Sequence, residues 1–179
     1  MTVTLQLTKA QFRRLHRHLI RLFQRAEQVA FLFVKPQWSS DALNLVTETI
    51  HCCPRNELED QSRYNIALKD DVKARLIKRA HDMRCALAEA HSHVGKYSAQ
   101  FSPSDYAGFE EFVPHVRWRL KGQPYTAMVF TKKDMDGFVW FDSGNRPQRL
   151  RGIEVNGRVV LPTNGHSALP GQAVGYEKS

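Results

Sequence analysis

Two histidines flank a serine at His91-Ser92-His93, and after eight residues the chain reads Ser102-Pro103-Ser104-Asp105. In extended chain, residues i and i+2 point to the same side, so both imidazoles can converge on one ion. Asp105 falls in the first turn of the helix that Ser102 is expected to start, and it adds a hard carboxylate. Two neutral imidazoles and a carboxylate make a three-ligand set that suits zinc and leaves one coordination position open to water. A cation held in this way lowers the pKa of its coordinated water from about 15.7 towards about 7, giving a nucleophile at neutral pH.

Such a nucleophile needs a proton acceptor and a place for the developing oxyanion. Glu27 opens an apolar run that predicts a buried strand, which puts a carboxylate within reach of the metal as general base. Ser102, three residues before Asp105, offers its hydroxyl to the oxyanion. Each piece also has a plain structural reading. Ser102 to Asp105 is a helix start, with Pro at N1 and an acid at N3, and His-x-His can be an ordinary surface loop. The pieces at this spacing favour the metal site, with His91, His93 and Asp105 as ligands and Glu27 and Ser102 as catalytic groups. The expected chemistry is zinc-dependent hydrolysis.

The elements that must position these groups follow from periodicity. Val3 to Leu7 alternate as a half-buried strand, and Thr8 offers an N-cap to a helix carrying Phe12, Leu15, Leu19, Leu22 and Phe23, ending near Gln24. Glu27 to Val34 reads as a buried strand closed by Lys35-Pro36, and Leu43 to Cys52 as a second strand stopped by Pro54. Tyr64 to Leu68 is a short strand. Asp70 begins a helix with Val72, Leu76, Ile77 and Ala80 on one face. Cys85 to Ala90 is a strand that runs out at His91, which places the histidines at a sheet edge. Ser102 begins a helix ending before Gly122, with a kink or break at Pro114. Strands at Tyr125 to Thr131 and Phe138 to Asp142 are joined by a turn at Asp136-Gly137, and a hairpin over 153–160 turns on Asn156-Gly157. The mixture predicts an α/β or α+β sandwich, helices against a largely antiparallel sheet. Residues 1–161 form one domain, hairpin included, and 162–179 a flexible tail.

At 179 residues, 42% hydrophobic and 25% charged, the chain has the composition of a globular domain with a core of its own. No apolar run is long enough for a membrane span, and no signal segment is evident, so a cytoplasmic setting is expected. Cys52, Cys53 and Cys85 do not make a disulfide framework. His51 with Cys52 and Cys53 is either a second metal site or a strand end with inert thiols. Part of the net charge of +8 lies on the first helix, at Arg13, Arg14, Arg17 and Arg21, with Arg25 beyond. That face is a solvated helix surface or a surface for an acidic partner; a nucleic-acid partner is not favoured, because no base-stacking motif accompanies it.

With these residues in view, Glu27-Gln28-Val29-Ala30-Phe31-Leu32-Phe33, His91-Ser92-His93 and Ser102-Pro103-Ser104-Asp105 resemble the JAB/MPN metalloproteases that carry the JAMM motif, a glutamate, His-x-His and Ser-x-x-Asp. The likeness covers roughly residues 1–142 and is nearest the prokaryotic branch associated with ubiquitin-like conjugation systems. It implies a deaminase-like sandwich and one catalytic zinc. It also implies an isopeptidase or peptidase acting after the C-terminus of a ubiquitin-like protein, in maturation or deconjugation, with activating and conjugating enzymes as further partners. Extended tails of that kind bind by strand addition, and the strand after Glu27 or the one over Leu43 to Ile50 would offer the edge. Val94 stands where many members have proline, and the eight-residue spacer carries Lys96 and Tyr97; both bear on how substrate approaches. Two other readings are a metal-free MPN scaffold and a DNA-associated bacterial JAB protein using the basic helix. A nucleobase deaminase fails, because position 93 is histidine and no Cys-x-x-Cys is present.

Overall fold

The computed structural model describes residues 1–21, 23–142 and 146–170. Leu22 of the expected helical stripe and residues 171–179 of the expected tail lie outside the described residues. Val3, Leu5 and Leu7 alternate with polar residues, and β1 (Thr2–Leu7) buries that apolar face. Thr8 caps α1 (Lys9–Leu19): its hydroxyl accepts from the Gln11 N–H while the Gln11 side chain accepts from the Thr8 N–H. The helix stops at Leu19, short of Gln24. Ile20 turns extended and packs on the same apolar layer as Leu15 and Leu19. Phe23, expected on the buried stripe, is 86% exposed, and Gln24 instead reaches Ser92, its amide donating to Oγ at 2.6 Å.

β2 (Val29–Trp38) runs through Lys35 and Pro36, where an end is expected. Beyond Val34 it pairs with β3 (Ala42–Cys52) alone, so the missing N–H of Pro36 faces no second strand. A single 3₁₀ turn, Arg55–Glu57, leads to the hairpin β4 (Leu58–Gln61) and β5 (Ile66–Leu68), a separate two-stranded sheet. Then follow α2 (Asp70–Asp82), β6 (Ala86–Ser92), α3 (Pro103–Arg119), β7 (Tyr125–Phe130), β8 (Met135–Trp140), β9 (Pro147–Arg149), β10 (Gly152–Val155) and β11 (Arg158–Pro162).

The large sheet has nine strands in the order β11-β10-β1-β3-β2-β6-β7-β8-β9. It is mixed: β1 lies parallel to both β10 and β3, and β6 parallel to β7, while the other ladders are antiparallel. The sheet curls until its two ends meet, with Met135 bridging Thr163 and the Asn164 N–H donating to the Met135 carbonyl. Successive residues of β2 face opposite layers, which is why the whole run is apolar. Val29, Phe31 and Phe33 join α2 and α3 on one face, and Ala30, Leu32 and Val34 join α1 inside the curl. The architecture is therefore α+β with three helices on a curled mixed sheet.

Three local expectations are corrected. Asp136 and Gly137 lie within β8, and the turn sits at residues 131–134, where the Thr131 hydroxyl and N–H bond to Asp134. Asp136 tolerates a fully buried strand position because Arg149 donates to both its oxygens, at 2.8 Å each, and the Ser167 N–H donates as well. α3 is not broken at Pro114; the helix runs on to Arg119. Nor do residues 162–170 form a free tail. Asn164 donates to the Ala99 carbonyl, Arg149 donates to the Ser167 carbonyl, and the Tyr106 hydroxyl donates to the Ala168 carbonyl. The expected hairpin is present, and its turn needs the left-handed backbone found at Asn156 (φ 51°) and Gly157 (φ 76°).

Candidate metal centre

His91 is the last residue but one of β6, and Ser92, also buried, closes the strand. β6 lies between β2 and β7, so the histidines sit at the end of an interior strand and not at a sheet edge; His91 is 2% exposed. The alternation of β6 puts Glu89, His91 and His93 on the face covered by α2 and α3. Ser92, pointing the other way, accepts from the Gln28 N–H and the Gln24 amide, which fastens the chain leading into β2 against the end of β6. The His93 N–H donates to the Phe130 carbonyl of β7, so the His-Ser-His backbone is held on both sides.

Asp105 arrives from the first turn of α3. Ser102 and Asp105 form a reciprocal cap: the Ser102 N–H donates to Asp105 Oδ2 at 2.6 Å, and the Asp105 N–H donates to Ser102 Oγ at 3.3 Å. The Ser102 hydroxyl itself donates to Asp105 Oδ2 at 2.7 Å. The cap that starts the helix thus also aims the carboxylate. His91 Nε2 and His93 Nε2 lie 3.2 Å apart, His91 Nε2 lies 3.3 Å from Asp105 Oδ1, and His93 Nε2 lies 3.4 Å from Asp105 Oδ2.

These distances test the fit to a metal. Ligands at about 2.0–2.1 Å from a tetrahedral zinc are separated from one another by about 3.3–3.4 Å. The two imidazole nitrogens lie near that spacing, each with a different Asp105 oxygen at a similar distance, so two imidazoles and one carboxylate are placed to hold a metal ion. The electrostatics agree. Burial alone would push the His91 imidazole down, but the carboxylates of Asp105 and Glu89 outweigh it and hold its pKa at about 10. Burial pushes Asp105 up, and the two imidazoles with the Ser102 N–H outweigh that, holding its carboxyl well below the usual range. The site demands a positive charge, which a proton or a cation can supply.

Glu27 precedes β2, 5% exposed, with Oε1 4.0 Å from His93 Nε2. Burial raises its carboxyl above the ordinary value, His93 and His91 pull it partly back, and Asp105 adds to the rise. Its backbone is fixed by the β4–β5 hairpin: the Glu27 N–H donates to the Ser62 carbonyl at 2.8 Å, and the Gln61 amide donates to the Glu27 carbonyl at 2.7 Å. The structure brings all five expected residues together.

Two contributors escape the motif. Glu89 Oε1 lies 3.6 Å from His91 Nδ1, and Glu89 Oε2 accepts from the buried Tyr125 hydroxyl at 2.7 Å. Glu89 thus backs the Nδ1 side of the ring, and Nε2 is the nitrogen turned towards His93 and Asp105. The spacing of Glu89 to His91, two residues on one strand, is the signal that could have found it; nothing in the sequence points to Gln61. The second miss concerns the cleft. A cavity of about 950 Å³ opens over the site between the hairpin and the helices, walled by Ile66 and Leu68 of β5, Ile77 of α2, and Phe109 and Phe112 of α3. β2, expected to offer an edge, is flanked by β3 and β6 over Ala30 to Val34, and β3 by β1 and β2 only from Leu43 to Val46; β5 pairs only with β4 and lines the cleft.

No model of a known protein family matches the chain, and no curated protein matches it. Among the described residues, no helix is long and apolar enough to cross a membrane.

Proposed function

We propose that the chain is a zinc peptidase of the JAB/MPN type that cleaves the peptide or isopeptide bond after the C-terminus of a ubiquitin-like protein. The reading is carried by one observation: the Nε2 atoms of His91 and His93 lie 3.2 Å apart, each within 3.4 Å of an oxygen of Asp105, with Glu27 beside them, and Glu27, His93 and Asp105 line the cleft. Zinc in that position supplies Lewis acidity and a water acidified enough to react at neutral pH. Glu27 takes the proton from the attacking water and passes it to the leaving amine, and its raised pKa suits both halves of that task. Ser102 serves the oxyanion by turning its hydroxyl away from Asp105, whose Oδ2 keeps the Ser102 N–H.

The free edge of β5 supports an extended tail as substrate, because a peptide added there lies along the cleft with its backbone hydrogen-bonded. The partly apolar lining of the cleft also suits an extended, uncharged tail. The test uses the zinc-loaded protein and a ubiquitin-like protein fused through its C-terminus to a reporter. Glu27→Gln should retain zinc and lose cleavage by about 10²–10⁴-fold. Undiminished cleavage by that variant would remove Glu27 from the chemistry, and a wild-type protein that takes up no zinc would return the chain to the scaffold reading.

A further inference from the structure

We propose that His51, Cys53 and Glu57 form a second metal site, distinct from the first, which takes a thiophilic divalent cation such as zinc and ties the base of the β4–β5 hairpin to β3. The three residues form the local pattern His-x-Cys-x-x-x-Glu. His51 and Cys53 are two apart at the end of β3, where the Cys53 N–H still donates to the Val29 carbonyl, so the chain remains extended and both side chains face α2 and α3. Pro54 and the 3₁₀ turn then fold Glu57 back over them. One donor atom from each residue lies within 4.8 Å of the other two, with His51 Nε2 and Glu57 Oε2 2.6 Å apart.

The thiol is what separates this cluster from a plain His–Glu hydrogen bond. Cys53 is 2% exposed, and its Sγ has no hydrogen-bond partner among the described residues, yet it faces an imidazole and a carboxylate. Burial and the nearby carboxylates of Glu57 and Glu89 keep it protonated, so it is no nucleophile without a cation. A divalent ion reverses that balance, because it meets one thiolate and one carboxylate and neutralises both. Arg75 occupies Glu57 Oε1 at 3.2 Å and orients the carboxylate, leaving Oε2 for the ion.

Binding breaks the S–H bond of Cys53 and the His51–Glu57 hydrogen bond and forms metal bonds to Sγ, Nε2 and Oε2. The thiol proton goes to solvent, the hydrogen on His51 Nε2 moves to Nδ1 or, from a doubly protonated ring, to solvent, so the imidazole enters neutral with its hydrogen on Nδ1, and no electron changes hands. Cys53 is two strands from His91 across the sheet, with Val29 between, a separation of about 10 Å at roughly 4.8 Å per strand. The two ions would therefore occupy separate shells.

Cobalt titration of the full chain after chelator treatment tests the site, since the first centre contains no sulfur. Wild type should bind two equivalents and show a near-ultraviolet thiolate-to-cobalt charge-transfer band. The double variant His91→Ala/His93→Ala should keep the whole band and one equivalent, which makes the result independent of the proposed peptidase. Cys53→Ser should lose the band and one equivalent, and Glu57→Gln, which leaves the buried thiol in place, should lose the band while retaining the native circular dichroism spectrum. Absence of the band in wild type, or its persistence in Cys53→Ser, overturns the proposal.

Discussion

At the scale of the residue, the site is governed by charge. His91 is almost fully buried between two carboxylates, and its imidazole is held up at about 10. A group whose folded pKa lies above its ordinary 6.5 stabilises the fold fully below that value and loses the contribution as pH rises through the folded pKa. Chelator-treated protein should therefore lose thermal stability between about pH 6.5 and about pH 10. Zinc-loaded protein should not lose it there, because the ion takes over from the proton; melting curves with and without zinc across that window check both statements. Glu89 is the other residue on which the site depends, through its place behind the His91 ring. Glu89→Gln should weaken zinc binding about 10–100-fold in a chelator competition, as loss of a partner behind a ligating histidine does. Tyr125→Phe should reproduce part of that loss, since its hydroxyl orients Glu89.

At the scale of the element, the β4–β5 hairpin is the part that turns a metal-binding corner into a cleft. It fixes the backbone of Glu27 and forms one wall. Gln61→Ala should lower kcat for the fusion substrate with zinc content unchanged, because it loosens the base and leaves the ligands alone; equal loss in zinc content would show a wider collapse. Half of this hairpin was legible in the sequence, since β5 falls within the strand expected over Tyr64 to Leu68. β4 was not, because it is four residues, three of them polar, too short to show a period. The grouping of His91, His93 and Asp105 was legible because strand alternation and a helix cap are local rules, and His91-Ser92-His93 and Ser102-Pro103-Ser104-Asp105 obey both. β1, β3 and the Asn156-Gly157 hairpin were legible for the same reason. What periodicity could not give was which strands are neighbours: β1 lies between β10 and β3 through parallel ladders joined by long excursions of chain. Asp136-Gly137 looked like a turn because the partners that make it a strand, Arg149 and Ser167, lie 13 and 31 residues away.

At the scale of the whole molecule, the curled sheet separates two surfaces. The cleft opens on the face of α2 and α3, while Arg13, Arg14, Arg17 and Arg21 line a shallow depression on α1, across the sheet. Closure of the curl depends on the segment after β11. Removing residues 162–179 takes away the partners of Asp136, Ala99, Phe101 and Tyr106, several hydrogen bonds at about 1 kcal/mol each. That loss should lower the melting temperature by about 10 °C for a chain of this size; a shift under about 2 °C would mean that the segment is dispensable. Tyr106, which holds the end of this segment, is the residue next to Asp105 in the chain. The segment after β11 therefore works as a buckle fastened one residue from the carboxylate of the candidate metal site. Whatever unfastens it, a protease cut or a fusion placed there, should slacken that carboxylate from a distant part of the chain.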